Sequence, residues 1–96
     1  MKEEKKTTEF YDRLRIQLEG DTQWPSNYLY KFIVPAMLDK IAEIEAIFDG
    51  TNALISTRDS SKGSYTSISV KVMMNSPEAV IEKYLEVSSV EGVISL

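Results

Sequence analysis

The residues best equipped to recognise something lie in one short run, Arg58-Asp59-Ser60-Ser61-Lys62-Gly63-Ser64-Tyr65. Arg58 and Lys62 bring positive charge, and Ser60, Ser61 and Ser64 bring hydroxyls that both donate and accept. Gly63 lets the backbone take a positive φ and aim N–H groups outward. Together they form a plausible cradle for a carboxylate or a phosphate. The same residues also make an ordinary polar turn, because Gly, Ser and Asp dominate turns for conformational reasons. Serine–lysine catalysis among Ser60, Ser61 and Lys62 is rejected, since neighbours in a solvated turn lack the burial that makes a lysine a base. Lipoylation of Lys62 is not expected. Lipoyl domains present their lysine in an Asp-Lys-small turn, whereas this turn reads Ser61-Lys62-Gly63.

Composition narrows the chemistry further. The 96-residue chain has no histidine and no cysteine. It therefore lacks the usual general base near neutral pH, a thiol nucleophile, a disulfide frame and thiolate zinc ligands. Asp39/Glu43 and Glu45/Asp49 are acid pairs at helical spacing, but no carbonyl-rich loop accompanies them as in calcium sites. They read as a solvated helix face. No catalytic residue, metal or cofactor is expected, and the chain reads as a non-enzyme.

The formal net charge is −4. Duplex nucleic acid and anionic membranes both call for a basic face, so neither is an expected partner. One stretch runs against the trend: Thr51–Asn75 carries Arg58, Lys62 and Lys71 against Asp59 alone. Met1–Lys6 is charged with no apolar run behind it, so no signal peptide is expected. Apolar runs such as Phe32–Leu38 are too short to cross a bilayer, and the cytoplasm is the default location.

The elements that would position the run can be read from periodicity. Phe10, Leu14 and Leu18 recur at helical spacing within Thr7–Gly20, and a connector follows from Asp21 to Asn27. Tyr28–Val34 reads as a strand with Tyr28, Tyr30, Phe32 and Val34 on one face. Leu29, Lys31 and Ile33 take the other. Pro35 suits the first position of a helix whose stripe is Met37, Ile41, Ile44 and Phe48. Ala53–Ser56 reads as the second strand. The third alternates strictly, with Ile68, Val70, Val72 and Met74 opposite Tyr65, Ser67, Ser69, Lys71 and Met73. Ser76-Pro77-Glu78 is a capped helix start, with Val80, Ile81, Tyr84 and Leu85 expected inward. Val90–Leu96 reads as the last strand.

This order, a helix followed by β-α-β-β-α-β, predicts an α+β, ferredoxin-like βαββαβ sandwich. Its sheet is antiparallel and four-stranded in the order 4-1-3-2, with the second and the fourth strand at the edges. Residues 1–23 form an N-terminal helix and connector, and residues 24–96 form the sandwich domain. The helix-free sheet face would present Leu29, Lys31, Ile33, Tyr65, Ser67, Ser69, Lys71 and Met73, joined by Val93 and Ser95. It is too apolar to be only a solvated face. Cover by the Phe10/Leu14/Leu18 helix is the simplest expectation; a second copy of the chain or another protein are the alternatives. Single-stranded RNA is disfavoured, because only Tyr65 is placed for stacking and the chain is acidic.

Several of these residues also carry a resemblance. Trp24-Pro25, Tyr30-Lys31, Ser60-Ser61-Lys62-Gly63-Ser64-Tyr65-Thr66-Ser67 and the terminal Glu91-Gly92-Val93-Ile94-Ser95-Leu96 resemble the YbeD-like family over roughly Trp24–Leu96. These are small bacterial proteins carrying a domain of unknown function. The resemblance implies an ACT-like α/β sandwich and a lipoate-related regulatory label, and it supplies no catalytic residues. The N-terminal helix and the Val34-Pro35 helix start depart from the family pattern. ACT-type amino-acid sites use a glycine-bearing loop after the first strand. Val34-Pro35-Ala36 has none, which puts such a site in doubt.

The expected function is a non-enzymatic cytoplasmic regulatory or interaction domain. Its partner would be another protein or a second copy, as a homodimer. The alternative is a sensor for a small carboxylate such as lipoate or an amino acid. The candidate binding residues are Arg58, Ser60, Ser61, Lys62, Gly63, Ser64 and Tyr65, with Lys31 and Lys71 on the sheet.

Overall fold

The computed structural model describes the backbone of residues 2–21 and 23–96 and the side chains of residues 9–20 and 23–96. Met1, the side chains of the charged Met1–Lys6 segment and Thr22 of the expected connector lie outside the described residues. The elements are α1 (Lys2–Asp21), β1 (Ser26–Pro35), α2 (Leu38–Ile47), β2 (Leu54–Asp59), β3 (Tyr65–Met74), α3 (Pro77–Ser88) and β4 (Ile94–Ser95).

The four strands form one antiparallel sheet ordered β2-β3-β1-β4, which is the expected order read from the opposite edge. The long central strands pair in register from Ser26↔Met74 to Pro35↔Tyr65. Their alternation sends Tyr30, Phe32, Val34, Ile68, Val70 and Val72 to one side. There they are buried with Ile44 and Phe48 of the α2 segment and with Val80, Tyr84 and Val87 of α3. Each such large apolar burial contributes about 1.5–3 kcal/mol. The two helices of the βαββαβ unit therefore lie under the face carrying Ile68 and Val70. Ser67, Ser69 and Lys71 point to the other side.

Local chemistry explains the helix ends. Ser76 is extended, its Oγ accepts from the Ala79 N–H at 3.2 Å, and Pro77 occupies the first turn. In α3 the inward set is Val80, Tyr84 and Val87, with Leu85 exposed. The C-terminal end of α2 is closed from outside: Lys83 Nζ donates to the Ile47 carbonyl at 2.7 Å, Glu86 Oε2 lies 3.1 Å from it, and the Phe48 ring centroid is 5.7 Å away. A cation suits that end, where unpaired carbonyls gather negative charge.

Four expectations are corrected. Pro35 does not open the second helix; it is the last residue of β1, paired with Tyr65. A strand end tolerates its missing N–H as well as a helix start does. The chain then turns through a Met37 N–H to Pro35 carbonyl bond of 2.7 Å, and the helix begins at Leu38, leaving Met37 half exposed. The second strand runs on to Asp59 rather than ending at Ser56. The last strand is two residues, not seven, because Val90 closes the α3 segment with a 2.9 Å bond to the Val87 carbonyl and Gly92 turns at φ +83°. The fourth correction concerns α1. Tyr11 lies 6.2 Å ring-to-ring from Tyr84, and Tyr11, Leu14 and Leu18 pack against the core on the α3 side. Trp24 Nε1 donates to the Leu18 carbonyl at 3.2 Å and pins the end of the helix there. The helix thus does not cover the open sheet face.

Candidate functional site

Two areas hold the candidate residues. The first is the β2–β3 hairpin. Ser60 N–H donates to the Tyr65 carbonyl at 2.8 Å, Tyr65 N–H donates to Ser60 Oγ at 3.2 Å, and Gly63 N–H donates to the Ser60 carbonyl at 2.9 Å. Gly63 has φ +72°, the left-handed region a β-carbon resists. The turn therefore consumes the N–H groups of Gly63 and Tyr65. An anion here would be held by Arg58, Lys62, the hydroxyls of Ser61 and Ser64, and the remaining amides.

Strand alternation separates the charges at the hairpin base. Asp59 pairs with Thr66 on the helix side, and Thr66 Oγ1, itself buried, donates to Asp59 Oδ1 at 2.9 Å. Arg58 pairs with Ser67 on the open side, where Ser67 Oγ donates to the Arg58 carbonyl at 3.2 Å. A depression of about 520 Å³ lies beside this base, between Ile33 and Ser67 of the sheet and Arg58, Asp59, Ser60, Ser61 and Tyr65. An adjoining one of about 270 Å³ shares Ser60, Ser61 and Tyr65 and adds Lys62 and Ser64. The hairpin candidates thus come together.

The second area is the open sheet face. The register sets Leu54, Lys71 and Leu29 in one row, Ser56, Ser69 and Lys31 in the next, and Arg58, Ser67, Ile33 and Ile94 in a third. Lys31 and Lys71 therefore stand on the sheet away from the hairpin and line neither depression. Here the alternation expected of the last strand is off by one: Phe32↔Ser95 and Ile33↔Ile94 turn Ser95 to the helix side and put Ile94 on the open face. Val93 is half-buried against the core instead. The rows hold three cationic side chains and no acidic one, and Leu96 continues the Lys31 row, its N–H donating to the Lys31 carbonyl at 2.9 Å. Among the described residues none of Lys31, Arg58 and Lys71 forms an ion pair.

Sequence reasoning missed a third feature, a cleft of about 210 Å³ between α1, β1, α3 and the chain end, lined by Phe10, Tyr11, Leu14, Tyr28, Tyr84, Ser95 and Leu96. Tyr28 and Tyr84 share a 2.8 Å hydroxyl–hydroxyl bond, and Tyr30 OH donates to the Val80 carbonyl at 2.9 Å. Burial pushes the phenols of Tyr30 and Tyr84 far above their ordinary range and raises that of Tyr11. At neutral pH they act as hydrogen-bonding groups rather than bases. Tyr11, Tyr28 and Tyr84 were individually legible as inward-facing; their convergence depends on where α1 docks.

Comparison with known proteins settles the family. Residues 20–96 match the family described as "Protein of unknown function (DUF493)", and the chain belongs to it, in agreement with the YbeD-like resemblance. No curated protein and no solved structure matches the chain. No described helix is long and apolar enough to cross a membrane.

Proposed function

We propose that this chain is a non-enzymatic regulatory or interaction domain of the cytoplasm, a ferredoxin-like, ACT-like sandwich that engages another protein through its open sheet face and adjacent hairpin. The observation that supports this most is the place of α1. The chain's own spare amphipathic helix packs beside α3 and leaves Leu29, Met73, Leu54 and Ile94 exposed on the other side of the sheet. Apolar side chains gathered on one face of a small domain mark a surface meant to be covered. A chain without histidine or cysteine, whose serine–lysine neighbours sit on an exposed turn, offers little for catalysis. The test is a photo-crosslinking residue at Ser69 on the open face, with one at Glu82 on the helix layer as control, in cells of the native host. Discrete adducts from Ser69 and none from Glu82 support the reading. Adducts from neither position, or from Glu82 alone, reject it.

A second reading, a sensor for a small carboxylate such as lipoate or an amino acid, is supported by the Arg58-, Ser60- and Ser61-lined depression. A thermal-shift panel of carboxylates separates the two, because a ligand that binds only the folded state raises the midpoint. A homodimer formed through the β2 or β4 edge, where backbone groups lie unpaired, would show as a doubled mass in light scattering.

A further inference from the structure

The fold segregates charge between its two layers. Outward on α2 and α3 stand the exposed acids Asp39, Glu43, Glu45, Glu78, Glu82 and Glu86, against only Lys40 and Lys83, both partly buried. The rows of the open sheet face reverse this, with Lys71, Lys31 and Arg58 and no acidic side chain. Asp59 touches that side only at the hairpin depression, with Oδ1 bonded to Thr66. A chain with net charge −4 has thus concentrated cations on its least covered surface.

Their spacing is set by the sheet. With strands about 4.8 Å apart and about 6.7 Å between like-facing residues, the Cα atoms of Lys71 and Lys31 are about 8 Å apart and those of Lys31 and Arg58 about 12 Å. Leu29 lies directly across from Lys71, and Ile33 is one step along the strand from Lys31. A surface that alternates cation and apolar group at this spacing matches one that alternates carboxylate and apolar group. Acids seven residues apart on one face of a helix stand about 10.5 Å apart, between those two spacings.

We propose that the partner of the open face is an acidic, amphipathic polypeptide segment on another protein, with carboxylates and apolar side chains on one face; this rests on the interaction reading above. Two alternatives fit less well. A second copy laid face to face would set Lys31, Lys71 and Arg58 against their own kind, which is repulsive. A single-stranded nucleic acid would meet the cations but find, among the described residues, Tyr65 as the sole aromatic on the face, where stacking platforms use several.

The test uses the whole chain, labelled for amide NMR, and a blocked peptide of about 16 residues, long enough to be partly helical, with Glu and Leu on one face and Ala and Gln on the other. Shifts centred on Leu29, Lys31, Ser67 and Ser69 are expected. About tenfold weaker binding is expected when Gln replaces Glu in the peptide, when the protein carries Lys31→Glu with Lys71→Glu, or when salt rises from about 0.05 to about 0.5 M. Lys40→Glu on the helix layer should leave binding unchanged. Equal binding of the Glu and Gln peptides overturns the proposal. So do shifts confined to other surfaces, and so does tighter binding of a uridine oligonucleotide of about 12 residues. If these results occur while Ser69 still crosslinks in cells, the acidic partner fails and the interaction domain stands. If crosslinking is also lost, both fail.

Discussion

Gly92 lies against Pro35: a β-carbon placed on the glycine would stand 3.0 Å from Pro35 Cγ and 3.1 Å from Cδ. The contact joins the end of β1 to the turn that leads into β4, and Gly92 meets it at φ +83°. Gly92→Ala therefore incurs both a left-handed backbone cost and a close approach to a rigid ring. Destabilisation of about 1–3 kcal/mol is expected in chemical denaturation. Gly20→Ala, in open space at the end of α1, should change stability little or raise it. Equal effects at the two sites would remove the Pro35 contact from the account.

The Tyr28–Tyr84 hydroxyl pair invites a double-mutant cycle. Tyr84→Phe should cost about 0.5–1.5 kcal/mol, because Tyr28 is left half-buried without its partner. Tyr28→Phe with Tyr84→Phe should cost no more than either single change, since no stranded hydroxyl remains. Strict additivity of the two would mean that the bond contributes nothing.

Alkaline pH should unfold the protein through the same cluster. Desolvation raises the phenols of Tyr30 and Tyr84 above the ordinary value of 10.0, so the folded state holds the neutral forms. Stability is then fully present below about pH 10. It falls as pH climbs above that value, because the unfolded chain releases protons the folded one keeps. Ultraviolet phenolate absorbance and circular dichroism should show part of the tyrosine titration coinciding with loss of structure. A complete phenolate titration of a folded chain would contradict the burial argument.

Ser76 and Lys62 make opposite predictions for stability. Ser76→Ala removes the acceptor for the Ala79 N–H and should cost about 1 kcal/mol. Lys62→Ala, on an exposed turn, should leave the melting midpoint nearly unchanged. If the hairpin holds an anion, that second variant weakens its binding. A large drop in midpoint for Lys62→Ala would assign the lysine to the turn's own stability.

The legible parts of this molecule are those where one local rule decides. Tyr65–Met74 alternates without exception, so its two faces could be read directly, and with them the central place of β3. Ser76-Pro77 carries its cap and first turn in adjacent residues. Gly63 marks its own φ. Where two elements accept the same residue, reading failed: Pro35 suits a helix start and a strand end alike, and only its pairing with Tyr65 decides. The last strand failed for a related reason. A turn at Gly92 shifts the phase by one, and a one-residue slip exchanges the faces of Ile94 and Ser95. Among the candidate site residues the hairpin group was legible because it is contiguous. The grouping of Lys31, Lys71 and Arg58 needs the cross-strand register. The docking of α1 depends on the Trp24–Leu18 bond and the Tyr11–Tyr84 contact, which no periodicity contains.

The opposite charges of the two layers have a consequence before any contact is made. An excess of carboxylates on α2 and α3 and of ammonium and guanidinium groups on the open sheet face gives the molecule a permanent electric moment across its sheet. The field of an approaching anion exerts a torque on the domain that turns the strands toward it, so that encounters begin in the productive orientation.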